Sequence, residues 1–340
     1  MANLKVALLG GSFNPIHHGH LSMANKLLEQ YHFDEVWFVC AKHAPLKDAS
    51  VVSFEDRCAM IKLMISDSPK LKLCTIEKDL PTPSYTINTI KALKKQVDHD
   101  FSWIMGADQA SQFDQWKDYN ELFELMDFYV VTRNNKTSSK FPFIWIDEVS
   151  ETSSSDIRRG KSVDTHPLVL QYMIMHHCYD QSILASHISD QRLHHCISVK
   201  ETALAISQQV DVKRDDVIVA SMFHDIAKEW DQQQTDFYMA KLPQVEREIK
   251  DYEQHAIAGA SFLKHMYHID NQGILDAIQH HVLGTSNQLL AKILYIADKI
   301  EPTRNYDTSA YIKLAKENID KAFTIIKQES ENYNQSKEGV

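Results

Sequence analysis

The sequence predicts an α/β domain with a doubly wound parallel sheet, followed by an all-α domain. Before about residue 181, short β-rich runs alternate with helical patterns, which is typical of a parallel sheet with crossover helices. Two of these runs, residues 6–9 and 36–39, are nearly all apolar, as expected for strands covered on both faces. Farther along, helical periodicity takes over as far as Tyr333. Since 340 residues suit two cores better than one, we expect domains at residues 1–181 and 186–330.

Local patterns predict the elements of the first domain. Gly10 and Gly11 end the first strand, and apolar residues at helical spacing follow His20. Ser53 and Asp56 are spaced as in a capping box, which predicts the start of a helix there. The predicted strands are residues 5–9, 36–40, 71–77, 101–105, 128–132 and 143–146.

The second domain shows helical periodicity alone, with no internal repeat and no low-complexity segment. Its predicted helices are centred on residues 187–210, 215–229, 253–267, 273–283, 287–300 and 307–329.

Composition indicates which binding partners and which cellular compartment the protein can be expected to have. A net charge of −10 argues against a nucleic-acid or anionic-membrane surface, because such binding needs clustered Lys and Arg. The five cysteines are scattered and odd in number, which favours a reducing compartment. We find neither a signal-peptide pattern nor an apolar run of membrane-spanning length, so we expect a cytoplasmic protein. A homo-oligomer stays open.

The glycine turn after the first strand is the most informative segment of the first domain. Gly10 and Gly11 would let the backbone approach a phosphate closely. His17 and His20, three residues apart where the helix begins, could donate hydrogen bonds to one phosphate as its charge develops. The spacing is neither that of a Walker loop nor that of a dinucleotide fingerprint. It therefore indicates phosphate chemistry without covalent catalysis.

Residues 11–20, GSFNPIHHGH, resemble the G-x-F-x-P-x-H-x-G-H signature of the nucleotidyltransferase superfamily. Four further segments resemble the bacterial nicotinate-nucleotide adenylyltransferases: PSYTINT at 83–89, GAD at 106–108, Trp116 with NEL at 120–122, and SSSDIR at 153–158. The resemblance covers about residues 4–180. It implies that ATP with Mg²⁺ and nicotinate mononucleotide form the dinucleotide precursor of NAD and pyrophosphate.

The resemblance also implies roles for individual residues. His17 and His20 would hold the ATP phosphates and stabilise the transition state, while Lys47 and Arg158 would neutralise the triphosphate. Other expected nucleotide contacts are Gly11, Ser12, Phe13, Gly106, Asp108 at the ribose, Ser154 and Ser155, with Thr86 and Trp116 at the nicotinate ring. Packing or capping roles stay open for Thr86, Asp108 and Trp116. Residues 43–47, HAPLK, and 152–155, TSSS, depart from the family's usual P-P-H-K and I-S-S-T.

The adjacent pair His224 and Asp225, within a predicted apolar helix over residues 217–226, is the strongest signal of the second domain. Neighbouring helix residues point about 100° apart, so the pair could address a metal centre from two sides, with Asp225 bridging two ions. Imidazole and carboxylate without thiolate suit Fe, Mn or Zn in a catalytic site. The candidate ligands are His195, His224, Asp225, His255, His281 and Asp298.

This ordered set resembles the HD phosphohydrolase superfamily, and RLHH at 192–195, HDIAK at 224–228, HA at 255–256, AIQHH at 277–281 and YIADKIEPTR at 295–304 resemble the YqeK-type hydrolases within it. The resemblance implies cleavage of diadenosine tetraphosphate to two ADP by a di-iron centre in which Asp225 is catalytic. Lys228 and Arg304 would bind polyphosphate. Residues 282–284, VLG, depart from the family, which usually has Thr after the last His.

The sequence thus predicts two fused enzymes acting on adenine nucleotides. One alternative is a different superfamily transferase for the first domain, for example one acting on phosphopantetheine, which residues 84–86 and Trp116 oppose. The other is an HD domain that only senses nucleotide, which the complete ligand set disfavours.

Overall fold

A computed structural model describes residues 3–43, 52–132, 139–147, 152–241, 249–304 and 306–338. They form two compact units. Unit 1 comprises Met1–Arg158 and Asp164–Val169, and unit 2 comprises Arg159–Val163 and Leu170–Val340. The domain limits of 181 and 186 stay a prediction. Within the described residues, no helix is both long and apolar enough to cross a membrane.

Unit 1 is built on a six-stranded sheet in which every neighbouring pair is parallel, so the predicted doubly wound architecture is confirmed. The strand order is β3-β2-β1-β4-β5-β6. The order reverses between β1 and β4, and ligands of such sheets bind beyond the carboxyl ends of the strands at this point. The strands are β1 Lys5–Gly11, β2 Glu35–Cys40, β3 Leu71–Cys74, β4 Asp100–Gly106, β5 Asp127–Thr132 and β6 Ile144–Asp147.

The structure confirms the helix start that the sequence predicts at Ser53. The Ser53 hydroxyl accepts a 3.0 Å hydrogen bond from the Asp56 N–H, as its predicted capping role requires. The third predicted strand was too long, because a 3₁₀ turn over Ile76–Asp79 follows Cys74. The helices of this part of the chain are α1 His18–Gln30, α2 Phe54–Met64, α3 Thr86–Gln96, α4 Ala107–Ala110, α5 Tyr119–Leu125, α6 Ser154–Arg158 and α7 Pro167–Met175.

Among the described residues of unit 2, helices joined by turns and loops are the only secondary-structure elements. Its helices are α8 Asp180–Leu184, α9 Asp190–Ile206, α10 Arg214–Phe223, α11 Gln232–Met239, α12 Asp251–Met266, α13 Gln272–His280, α14 Leu289–Ile300, α15 Ser309–Glu317 and α16 Ile319–Glu338.

The structure corrects the predicted helices at two places that matter here. The predicted helix 307–329 is two helices, because the Asn318 side chain accepts a 2.9 Å hydrogen bond from the Lys321 N–H and so caps α16. Helix α10 ends at Phe223, so His224 and Asp225 lie in the turn that follows it.

Candidate active sites

Glycines at the ends of β1 and β4 lie close to neighbouring side chains. The indole of Trp103 on β4 lies against Gly10, and a Cβ at residue 10 would overlap the ring. A Cβ at Gly11 would come within 3.0 to 3.3 Å of the Phe13 ring, and one at Gly106 would lie 2.5 Å from Asp108 Oδ1. The turns that leave β1 and β4 are therefore compact at the sheet edge where a ligand is expected.

His17 and His20 are paired by the geometry of the helix start. His17 is the N-cap of α1, with extended backbone (φ −149°, ψ 171°), and its N–H donates to His20 Nδ1 over 3.3 Å. The two ring centroids are 3.8 Å apart. Since Nδ1 of His20 accepts, a neutral His20 carries its proton on Nε2. In this tautomer the Nε2–H can donate to a phosphate oxygen.

Phe13 and Ser12 are fixed by neighbours in the same turn. The Phe13 ring packs edge-on against His20, with centroids 5.1 Å apart, and against Phe38 at 5.6 Å. The buried guanidinium of Arg57, on α2, donates to the Ser12 carbonyl over 2.8 Å and to the Ala41 carbonyl over 2.7 Å. Arg57 was not among the sequence candidates.

The structure brings the serine and arginine candidates of α6 to the turn before His17. Ser154 Oγ donates to the Pro15 carbonyl over 2.8 Å. Arg158 donates through one nitrogen to the Asn14 carbonyl over 2.6 Å and through another to Ser155 Oγ over 2.9 Å. These three side chains and the histidine turn therefore form one polar cluster.

Three further candidates of unit 1 lie on α3, on α4 and in the segment before α5. Thr86 is the half-buried first residue of α3, and Asp108 is exposed on α4 directly after β4. Trp116 packs edge-on against Trp103 with centroids 6.4 Å apart, so its alternative role in packing has contacts that support it. Lys47 lies outside the described residues.

In unit 2 the six predicted ligands converge, with the Asp225 carboxylate at their centre. Its Oδ1 lies 3.2 Å from His255 Nε2 and 3.4 Å from His281 Nε2. Its Oδ2 lies 3.7 Å from His224 Nε2 and 3.8 Å from His195 Nε2. The carboxylate thus faces two pairs of imidazoles with different oxygens, as a ligand bridging two metal ions would.

Asp298 completes one half of this arrangement. Its Oδ1 lies 3.2 Å from His195 Nε2 and 3.8 Å from His224 Nε2. Among the residues that the structure describes, two groups have ligand atoms within 4.8 Å of one another: His195, His224 and Asp298, and His224, Asp225 and His281. This spacing suits metal coordination.

Hydrogen bonds behind the rings set the tautomer of three histidines. His224 Nδ1 contacts the Ser221 carbonyl at 2.7 Å, and His281 Nδ1 contacts the Ile278 carbonyl at the same distance. His195 Nδ1 faces the buried Glu301 carboxylate at 3.2 Å. Because these oxygens accept, each Nδ1 carries the proton and each Nε2 lone pair points to the centre. Glu301 was missed at the sequence level as an orienting residue.

The residues fit a metal centre by chemistry as well as by spacing. Nε2 of His195 and Nε2 of His224 are buried, and neither makes a hydrogen bond within the described part of the chain. Burial lowers the pKa of His224 to about 4, which keeps this imidazole neutral. Burial alone would raise the pKa of Asp225, but the neighbouring His224, His255 and His281 hold it well below its usual range. Neutral imidazoles around an ionised carboxylate are what a divalent cation requires.

Basic side chains surround the same cluster. Arg304 donates to Asp298 Oδ1 over 2.8 Å, and Lys228 Nζ lies 3.4 Å from both ring nitrogens of His255. Arg192, which was not among the sequence candidates, donates to Asp225 Oδ2 over 2.8 Å. These cations offer charge for phosphate oxygens beside the candidate metal positions.

Comparison with known proteins gives two family matches. A family described as cytidylyltransferase-like matches residues 8–160, and one described as HD domain matches residues 192–303. A protein of Mycoplasma genitalium, "Probable nicotinate-nucleotide adenylyltransferase/Ap4A hydrolase", is 28% identical over 94% of this chain and 96% of its own length. A "Probable nicotinate-nucleotide adenylyltransferase" of Hydrogenovibrio crunogenus is 37% identical over 44% of this chain and 76% of its own length.

One of the solved structures that are similar to part of the chain comes from a bacterium. It is a "predicted HD superfamily hydrolase involved in NAD metabolism" from Clostridium acetobutylicum, 26% identical over 47% of this chain and 88% of that one, with a TM-score of 0.42.

Proposed function

Because the chain belongs to the nicotinate-nucleotide adenylyltransferase family and carries an HD domain, we propose that it catalyses two reactions on adenine nucleotides. In the first, a phosphate oxygen of nicotinate mononucleotide attacks the α-phosphorus of ATP. Pyrophosphate leaves, and nicotinate adenine dinucleotide forms. In the second, water cleaves diadenosine tetraphosphate symmetrically into two ADP.

The pairing of His17 and His20 carries the first proposal. Because His20 Nδ1 accepts from the His17 N–H, the neutral ring has its N–H at Nε2, and such a donor aimed at developing charge would stabilise a phosphoryl-transfer transition state. Arg158, Ser154 and Ser155 supply further donors beside the same turn. Mg²⁺ bound with ATP would neutralise part of the triphosphate charge. Asp108 at the end of β4 is proposed to bind the ATP ribose.

The first proposal is tested by incubating the purified protein with ATP, Mg²⁺ and one acceptor at a time. We expect nicotinate mononucleotide to give dinucleotide and pyrophosphate in equal amounts. Its amide and phosphopantetheine are the comparison acceptors. The absence of product with both pyridine nucleotides, or faster transfer to phosphopantetheine, would contradict the assignment.

Asp225 with its two facing pairs of imidazoles carries the second proposal. His195, His224 and Asp298 would hold one ion, and His255 and His281 the other, with Asp225 between them. Two Fe ions are proposed, and Mn or Zn would suit the same ligands. Such ions lower the pKa of bound water and polarise a phosphate. Lys228, Arg192 and Arg304 are placed to bind the polyphosphate chain.

The second proposal predicts that Asp225→Ala abolishes iron-dependent ADP release from diadenosine tetraphosphate and leaves adenylyl transfer intact. The matched control is Asp236→Ala, which removes an exposed carboxylate from α11. We expect the control to keep both activities and the wild-type metal content. Products AMP and ATP would contradict the symmetric reaction. Nucleotide binding by the metal-loaded protein without any cleavage would favour a sensing domain instead.

A further inference from the structure

Unit 2 contains a cavity of about 410 Å³ that none of the six candidate metal ligands lines. Its walls come from the turn between α7 and α8, from the start of α8, and from α9 and α10. The volume falls within the range of small-molecule sites in proteins. Three features of its lining point to a ligand: an unpaired buried carboxylate oxygen, a pair of cations and an apolar face.

Asp180 supplies the carboxylate. The residue is 7% exposed, and its Oδ1 makes no hydrogen bond within the part of the chain that the structure describes. Its other oxygen lies 3.3 Å from His177 Nδ1, and His177 Nε2 in turn lies 3.5 Å from Asp215. A buried acceptor without a donor is costly. A ligand N–H group at Oδ1 would remove that cost.

Lys200 of α9 and Arg214, the first residue of α10, supply the positive charge of the lining. Together with His177 they can balance the carboxylates of Asp180 and Asp215 and still leave charge for an anion. Paired Lys and Arg side chains are suited to phosphate, because charge-assisted hydrogen bonds to phosphate oxygens are strong.

The apolar part of the lining consists of Leu204, Ile218 and Met222. Aliphatic side chains and a polarizable thioether pack well against a flat aromatic ring. The cavity therefore offers an apolar wall, cations for an anionic group and one buried acceptor for an N–H donor.

We propose that this cavity binds a nucleoside monophosphate whose base carries an N–H donor. The phosphate lies at Lys200 and Arg214, the base packs against Leu204, Ile218 and Met222, and the base N–H donates to Asp180 Oδ1. This binding goes beyond both proposed reactions, because none of the residues proposed for either reaction lines the cavity.

The probe is AMP, added to the metal-loaded full-length protein, with backbone hydrogen exchange as the measurement. We expect AMP to slow exchange in residues 176–182. Arg214→Ala should weaken this protection at least about tenfold, as loss of a charge-assisted phosphate contact does. Lys213→Ala, which removes the neighbouring cation outside the lining, is the matched control and should bind as the wild type does. Asp180→Asn should also bind AMP at least about tenfold more weakly.

The test is completed by measuring the protection that two fragments of AMP give, and by following hydrogen exchange in other segments of the chain. Ribose 5-phosphate and adenosine should each protect residues 176–182 at least about tenfold more weakly than AMP. Equal protection by ribose 5-phosphate would overturn the proposal, because an anion alone would then suffice. Unchanged protection in Arg214→Ala, or none with AMP in the wild type, would also overturn it. Protection of residues 10–20, or of residues 277–304, which do not line the cavity, reports on the two proposed active sites separately.

Discussion

His20 gives the sharpest test at the scale of single residues. If its Nε2–H stabilises the transition state, His20→Ala should lower kcat for adenylyl transfer by about 10²- to 10³-fold, the usual cost of losing one such donor. Steady-state pyrophosphate release measures this. His18→Ala is the control: this ring is exposed and pairs with Asp164 over 2.8 Å. Exposed ion pairs contribute at most about 1 kcal/mol, so the control should stay within a few-fold of the wild type. Equal losses in both variants would contradict the role of His20.

Arg57 shows why part of the site could not be predicted from single residues. In the sequence it is one charge among Glu55, Asp56 and Lys62, which is also what the solvated face of a helix contains. Only the fold reveals that it is buried and donates to the carbonyls of Ser12 and Ala41. Every residue has a backbone carbonyl, so a sequence does not show which carbonyls will accept a hydrogen bond. A side chain that donates to them therefore cannot be recognised from the sequence alone.

At the scale of elements, the contact of β1 with β4 depends on Gly10. Gly10→Ala should destabilise unit 1 by about 1 to 3 kcal/mol, because the new Cβ overlaps the Trp103 indole. Urea unfolding followed by circular dichroism measures the loss. In a Trp103→Phe background the ring is smaller, so the same glycine substitution should cost less. Additive losses in the double variant would show that the two residues do not share this contact.

Two of the metal ligands lie just after the ends of helices. Their identity could be predicted from the sequence, but their position in a turn and their tautomer could not. Helix α10 ends at Phe223 and α13 at His280, and each is followed directly by a histidine. The Nδ1 of each histidine contacts the carbonyl three residues earlier, in Ser221 and Ile278. Periodicity extends both helices past these residues, because the apolar pattern continues into the turns. The motif identifies the ligands, but the turn and the tautomer require coordinates.

For the whole molecule, the change from alternating strands to helices alone was predictable, because it depends on many residues. The sequence did not indicate how individual short segments are divided between the two units. Unit 2 includes Arg159–Val163, whereas Asp164–Val169 returns to unit 1, and the unit limit at residues 169 and 170 lies inside α7. Composition changes gradually along a chain. It therefore cannot indicate that a segment as short as Arg159–Val163 belongs to unit 2.

Metal should stabilise one unit only, because the candidate ligands all belong to unit 2. Binding at a concentration 100-fold above Kd contributes about 2.7 kcal/mol. In a unit of this size that corresponds to a rise in Tm of roughly 5 to 10 °C. Of the five tryptophans only Trp230 lies in unit 2, so its fluorescence reports this transition in a thermal melt with Fe²⁺ or Mn²⁺.

Two variants make the melting experiment decisive. Trp230→Phe should remove the metal-sensitive fluorescence transition, leaving only the signal of the tryptophans in unit 1. Asp225→Ala should keep the Trp230 signal but lose its shift with metal, because the carboxylate that faces both pairs of imidazoles is gone. An equal shift in both fluorescence transitions would mean that the metal acts through sites outside the cluster. A full shift in Asp225→Ala would show that the bridging position does not hold the ions.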